Sequence, residues 1–222
     1  GKFLKKKICD PAGVEYFVDD IVSVEKDSSG YLTSIVGDSG TKYTADLYVD
    51  CTGFKSLLLE KEMGSEFISY KPWLSNDRAI ATKIKYKNKK VELNNVTNCT
   101  ALSSGWAWNI PLWSRVGTGY VYSSDFISDE DAEKEFKQYL GTDDVEFNKI
   151  HIRHGVHKRA WVKNVVGIGL SYGFIEPLES TGLVSTHALI EGLVEVLDRR
   201  DLKVSAFDKD GFNYAMQSVL NG

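Results

Sequence analysis

Two carboxylates, Glu176 and Glu179, flank Pro177 in the segment FIEPLESTGL at 174–183, directly ahead of Ser180, Thr181 and Gly182. An apolar pattern with helical spacing follows from Leu183 to Leu197, so the segment reads as the mouth of a helix. A helix start leaves backbone N–H groups unpaired and carries a partial positive charge, which lets it hold an anion. A carboxylate beside such a site repels the anion and has its own protonation perturbed, an arrangement that serves chemistry. The same residues also fit a plainer role, a Ser or Thr N-cap with acids favouring the helix dipole.

Three further groups could do chemistry. Trp106 and Trp108, in GWAWNIP at 105–111, share one face of a strand by parity; paired core aromatics are the plain alternative. Gly167 and Gly169 with Gly173 miss the dinucleotide fingerprint because the third glycine comes one place late, so they predict a tight strand-to-loop turn. His151, His154 and His157 fall on alternating strand faces, and Gly155 speaks against a helix. No metal site is expected there; surface or partly buried histidines near Lys158 and Arg159 are. His187 is expected to be partly buried on a helix face shared with Leu183, Ile190 and Val194.

Taken together, GWAWNIP, the PLESTG of residues 177–182, ADLYVDCTGF at 45–54 and GTGYVYSSDFIS at 117–128 resemble the flavin-dependent halogenases, the tryptophan-halogenase family, from about Gly13 to about Leu197. The resemblance implies reduced FAD supplied by a separate flavin reductase, chloride or bromide as co-substrate, and a small electron-rich aromatic substrate such as tryptophan or an indole. Halide would be oxidised to hypohalous acid, which a catalytic lysine would receive near the substrate. Glu179 resembles the active-site glutamate, where an acid stabilises charge that develops in the transition state, and Ser180 would link it to the flavin side. Thr181 and Gly182 resemble the halide site. Gly169, Leu170, Leu183, Gly53 and Ile21 match positions at the cofactor, while Trp106, Trp108 and Pro111 would shape the active site. Glu176 would support from behind. A flavin monooxygenase that hydroxylates its substrate, or an inactive truncated remnant, are the alternatives.

These residues need elements to position them. The patterning predicts an α/β (α+β) chain: a flavin-monooxygenase-like FAD-binding fold, incomplete, with an antiparallel substrate-side sheet. Flavin-side elements are expected over 10–58 and 160–200, and the substrate-side sheet over 70–157. Val14 to Val18, Ile21 to Glu25 and Tyr31 to Val36 read as strands of a meander, and Leu47 to Cys51 as a buried strand. Ala79 to Tyr86, Thr100 to Pro111, Gly119 to Ser123, Glu146 to Arg153 and Trp161 to Ile168 read as further strands, with Lys83, Lys85 and Lys87 on a solvated face. Helices are expected from Ser128 to Leu140, from Thr181 to Leu197 and from Ser205 to Leu220, and at Lys2 to Cys9. Neither an N-terminal G-x-G-x-x-G nor the lysine-bearing segment is present. The chain therefore reads as the central part of a halogenase, inactive when isolated.

Composition agrees with a folded chain. Of 222 residues 42% are hydrophobic and 26% charged, enough for a substantial core. The net charge of −4 argues against a nucleic-acid or membrane-surface role. Three widely spaced cysteines, Cys9, Cys51 and Cys99, with no apolar run long enough to span a bilayer, suggest reduced thiols in the cytoplasm.

Overall fold

The computed structural model describes residues 1–176 and 181–221, with the side chains of Thr181, Leu220 and Asn221 left out. The chain forms two compact units, Gly1–Tyr48 and Val49–Gly222. In the first, a short helix α1 (Lys2–Leu4) runs into a wider π-type turn over Lys5–Cys9, and β1 (Ile21–Lys26), β2 (Leu32–Gly37) and β3 (Lys42–Tyr43) form an antiparallel sheet in that order. Val14 to Val18 is not a strand. Its apolar side chains stay exposed, Val18 at 87%, because the run finds no sheet face to bury them against among the described residues.

The second unit arranges strands and helices around one large sheet. In chain order they are β4 (Tyr48–Asp50), β5 (Phe67–Ser69), β6 (Arg78–Ile84), α2 (Lys89–Glu92), β7 (Asn98–Leu102), β8 (Gly105–Pro111), β9 (Val116–Tyr122), α3 (Asp129–Leu140) and β10 (Asn148–His151). They continue with β11 (Gly155–His157), β12 (Trp161–Val162), β13 (Val165–Gly167), β14 (Gly173–Phe174), α4 (Thr181–Arg199) and α5 (Ala206–Asn221). The antiparallel sheet runs β10-β6-β9-β8-β7, and smaller sheets join β14-β11-β5 and β12-β13-β4. The stretch expected as one strand from Thr100 to Pro111 is a hairpin, β7–β8, turned at Ser103-Ser104; that from Trp161 to Ile168 is another, β12–β13. Lys83, Lys85 and Lys87 are exposed.

Alternation along the large sheet gives it two different faces. Ile80, Ala107, Tyr120 and Tyr122 point to one side and pack with Ala132 and Phe136 of α3 into a buried cluster. Ser128 starts α3 by accepting from the N–H of Asp131 at 3.1 Å, and Gly141 ends it in the left-handed region at φ 66°. The tyrosines reach past the apolar core to acids on the helix: Tyr122 Oη donates to Asp129 at 2.9 Å and Tyr120 Oη to Glu135 at 3.0 Å. Burial first, and these acids second, push both phenols above their usual range.

The other face carries Ala79, Trp106, Trp108, Ile110 and Val121. Trp108 lies opposite Gly119 in the β8–β9 register, and a Cβ on Gly119 would meet the indole at 2.1 Å and the Ile80 carbonyl at 2.7 Å. The strand thus carries glycine where the indole approaches its backbone too closely for a Cβ.

Behind the small sheets, α4 buries Leu189, Leu193 and Val196, and α5 buries Phe212 and Met216. The 3.6-residue period accounts for the spacing. Asn213 of α5 acts as a substitute strand for Trp161, accepting from its N–H at 2.8 Å and donating to its carbonyl at 2.9 Å. Among the described residues no helix is long and apolar enough to cross a membrane.

Asp77, at the entry to β6, accepts from the N–H and hydroxyl of Ser124, each at 2.9 Å, and from Lys71 at 2.9 Å, with Arg78 3.1 Å away. Burial alone would raise this carboxyl. The Ser124 and Lys71 bonds and the charge of Arg78 outweigh it and pull it down to about 2. A carboxyl depressed by folding adds stability above its ordinary value of 3.8 and loses it as pH falls from there towards 2. Wild-type chain is therefore expected to lose denaturant resistance across that window, and Asp77→Asn to be less stable at neutral pH but flatter in acid, as read by urea unfolding at each pH. Gly119→Ala is expected to cost about 1–3 kcal/mol in the same assay. Gly117→Ala, on the same strand with its nearest atoms at 3.9 Å, should cost far less.

Candidate functional site

The cavity-forming face of the large sheet meets a second wall built from the Gly53 and Gly169–Ser171 turns, β14 and the segment ahead of β11. A cavity of about 440 Å³ lies between them. From the sheet it is lined by Ala79, Trp106, Trp108, Ile110, Val121 and Ile150; from the facing wall by Phe54, His154, Leu170, Phe174 and Glu176. Trp106 and Trp108 meet edge to face with centroids 6.1 Å apart. Phe174 is met edge-on by Phe54 at 5.5 Å and lies parallel to the His154 ring at 5.5 Å.

The turn wall is set by Asp50. After the strand ends, its carboxylate accepts from the N–H and hydroxyl of Thr52 at 2.9 and 2.6 Å and from the N–H groups of Leu58 and Leu59 at 2.7 and 2.9 Å. These donors belong to the segment 52–59, which includes Gly53 at φ 70° and Ser56 at φ 40°. Burial would raise this carboxyl, but the Thr52 hydroxyl and the backbone N–H groups hold it below the usual range. The Asp50 carbonyl accepts from Ile168 N–H at 2.9 Å, and Ser56 Oγ donates to the Ser171 carbonyl at 2.8 Å. The Gly53 turn and the Gly169–Ser171 turn are thereby tied side by side.

Glu176 is the carboxylate of the cavity. Its Oε1 accepts from Asn76 Nδ2 at 2.7 Å and also from the Trp106 indole N–H. His154 is 4% exposed, and its Nε2 has no hydrogen-bond partner among the described residues. Burial holds its pKa below the usual value, against the pull of Glu176, so the ring is neutral near pH 7.

The expected site residues separate into groups. Trp106, Trp108 and Leu170 line the cavity together. Gly169 sits beside Leu170 in the left-handed region at φ 67°, where a Cβ would come no nearer than 3.6 Å to Thr186. Gly53 neighbours the lining residue Phe54, and no described residue lies within 4 Å of a Cβ placed on it. Pro111 ends β8 opposite Val116, outside the cavity lining. Ile21 opens β1 in the first unit. Glu179 and Ser180 lie outside the described residues, as do Pro177 and Leu178. Thr181 begins α4; Gly182 follows, with no described residue within 4 Å of where a Cβ would stand, and its carbonyl accepts from Ser185 and Thr186 hydroxyls. Leu183 is 73% exposed.

Two histidine expectations need correction. His154 and His157 are buried, not near the surface. Nδ1 of His157 lies 2.8 Å from the Tyr172 carbonyl and Nε2 3.3 Å from Glu60, which also takes a two-pronged bond from Arg153 at 2.8 and 3.0 Å. Phe67 packs edge-on against the His157 ring at 5.1 Å, and Phe174 stacks on the His154 ring at 5.5 Å, so both rings are covered by side chains from other strands. His187 shares a face with Leu183, Ile190 and Val194 as expected, but that face is exposed, because α4 turns its Leu189–Leu193–Val196 stripe inward instead. Among the described residues no three His, Cys, Asp or Glu side chains are grouped to hold a metal. Asn76, His154 and Phe174 escaped sequence reasoning as site residues: Asn76 is 100 positions from the carboxylate it holds, beyond any local spacing.

Comparison with known proteins gives this geometry a family. The tryptophan halogenase family model matches residues 1–222. The chain is 41% identical over 223 residues to the 7-chloro-L-tryptophan 6-halogenase KtzR of Kutzneria sp. (strain 744), covering 100% of this chain and 43% of that protein. It is 38% identical over 195 residues to the tryptophan 7-halogenase RebH of Lentzea aerocolonigenes, covering 87% and 37%. Among solved structures it is similar to VirX1 in its apo form, with a TM-score of 0.95 and 50% identity over 99% of this chain and 43% of that one. The tryptophan 6-halogenase SttH of Streptomyces toxytricini gives 0.91 and 38%, over 96% and 42%. The chain thus spans less than half the length of these relatives. With the Trp106–Trp108 wall, the paired glycine turns and a family match along its whole length, this chain belongs to the tryptophan halogenase family.

Proposed function

We propose that the chain is the central part of an FADH2-dependent halogenase that oxidises halide to hypohalous acid and halogenates an electron-rich aromatic such as tryptophan or an indole. The observation that carries the reading is the aromatic cavity between the Trp106–Trp108 wall and the Leu170 turn, with Glu176 on its edge and α4 starting five residues later. The family relatives are tryptophan 6- and 7-halogenases by name, which supports an aromatic substrate for the whole protein.

The residues present suit a flavin. Gly169 and Gly53 expose backbone at turns held together through Asp50 and Ser56, so a flat ring can approach the main chain. Gly169, Leu170 and Gly53 would hold it, with Leu183 as a further contact. When bound, reduced FAD supplies the reducing equivalents with which oxygen is activated to oxidise halide; a separate flavin reductase and a cytoplasmic setting belong to the same proposal. The chain's own residues do the rest. Backbone N–H groups at Thr181 and Gly182 offer the halide a helix start, and the missing Cβ of Gly182 leaves it room. Trp106 and Trp108 fill space and keep organic substrate off the flavin. Glu179 stabilises the cationic arene or takes its proton, with Ser180 linking it to the flavin side.

A titration of FAD onto the chain, followed by flavin fluorescence with and without bromide, tests this. Weak but saturable quenching that bromide alters is expected. Gly182→Val should keep the quenching and lose the bromide response. A linear, unsaturable titration in both conditions overturns the flavin reading for these residues.

A further inference from the structure

Glu176 gathers two donors on one oxygen, and they come from distant parts of the second unit. Asn76 precedes β6 and donates from Nδ2 at 2.7 Å; Trp106 stands in β8 and donates from its indole; Glu176 itself follows β14. A carboxylate acceptor makes both bonds charge-assisted, about twice as strong as neutral ones. An indole has a single donor and no acceptor, so this bond fixes which way the ring of Trp106 faces. Trp108 packs edge to face against that ring and has Gly119 beneath it with no spare room. The orientation of one ring therefore sets that of the other.

From this geometry we infer that Glu176 is a positioning residue for the aromatic wall: it holds Trp106, and through it Trp108, in the orientation that shapes the cavity. Asn76 is its partner, donating to the same carboxylate oxygen as the indole. Only the bearing of this wall on halogenation rests on the function proposed above; the anchoring itself does not.

The test reads the indole N–H resonances of the five tryptophans in the 15N-labelled chain, without flavin or substrate, so it stands or falls apart from the functional reading. Trp106→Phe identifies the Trp106 signal. In Glu176→Gln that signal is expected to move upfield, and in Glu176→Ala further, with a smaller displacement of Trp108. Trp161, whose indole donates to the Lys163 carbonyl at 3.1 Å, should stay in place and report that the fold is kept. Asn76→Ala should give a shift in the same direction but smaller. An unmoved Trp106 signal in Glu176→Gln overturns the inference; so does a common displacement of all five signals, which would make Glu176 a general structural residue. If Glu176→Ala does not fold, the isosteric Gln variant decides alone.

Discussion

Everything at the site depends on the register between β8 and β9. Pairing Trp106 with Val121 and Trp108 with Gly119 sends both indoles to one face and Ala107 with Tyr120 to the other. A slip by one residue would exchange the faces. It would drive the indoles into the helix-covered core and leave Ala107 and Asn109 to wall the cavity. The register is held by what each face requires. One needs small Ala107 under α3, and the other needs the bare backbone of Gly119 under Trp108. Neither requirement is met one step away.

The opposite wall depends on a single buried carboxylate. Asp50 collects four donors from the segment that follows it, and its own carbonyl holds Ile168. This lets two glycine turns that are more than a hundred residues apart in sequence lie side by side. The stretch 52–59 carries left-handed geometry at Ser56, which a non-glycine residue adopts only at a cost in energy. The converging hydrogen bonds on Asp50 and Ser56 provide the compensation.

How much of this was legible beforehand follows from how local each signal is. The α3 helix, its Ser128 cap and its apolar face are local patterns, and they appear where the sequence places them, as do the tryptophans on one strand face. The Lys163-Asn164 turn lacks a Gly or Pro signal, and at Ser103-Ser104 the signal of Gly105 is outweighed by the strand-forming residues on either side, so each hairpin reads as a single strand. Val14 to Val18 has strand composition but no sheet to join. The burial of His154 and His157 depends on Phe174 and Phe67 packing against their rings, long-range contacts that spacing does not encode. Glu176 was visible as one of two carboxylates, but its tie to Trp106 and Asn76 was not. The roles of Glu179 and Ser180 rest on family resemblance, since both lie outside the described residues.

The far side of the large sheet has a consequence for how the family can vary. Tyr122 is tied to Asp129 at the first turn of α3, Tyr120 to Glu135 near its middle, and Asn109 to Tyr139 at its last turn, the last at 2.6 Å. Three ties spread along twelve residues stop the helix from sliding or rolling on the strands. The sheet is in effect splinted from behind. Exchanges among the residues facing the cavity then alter its outline without bending the strands that carry them, so new contours can be tried one side chain at a time while the scaffold stays as it was.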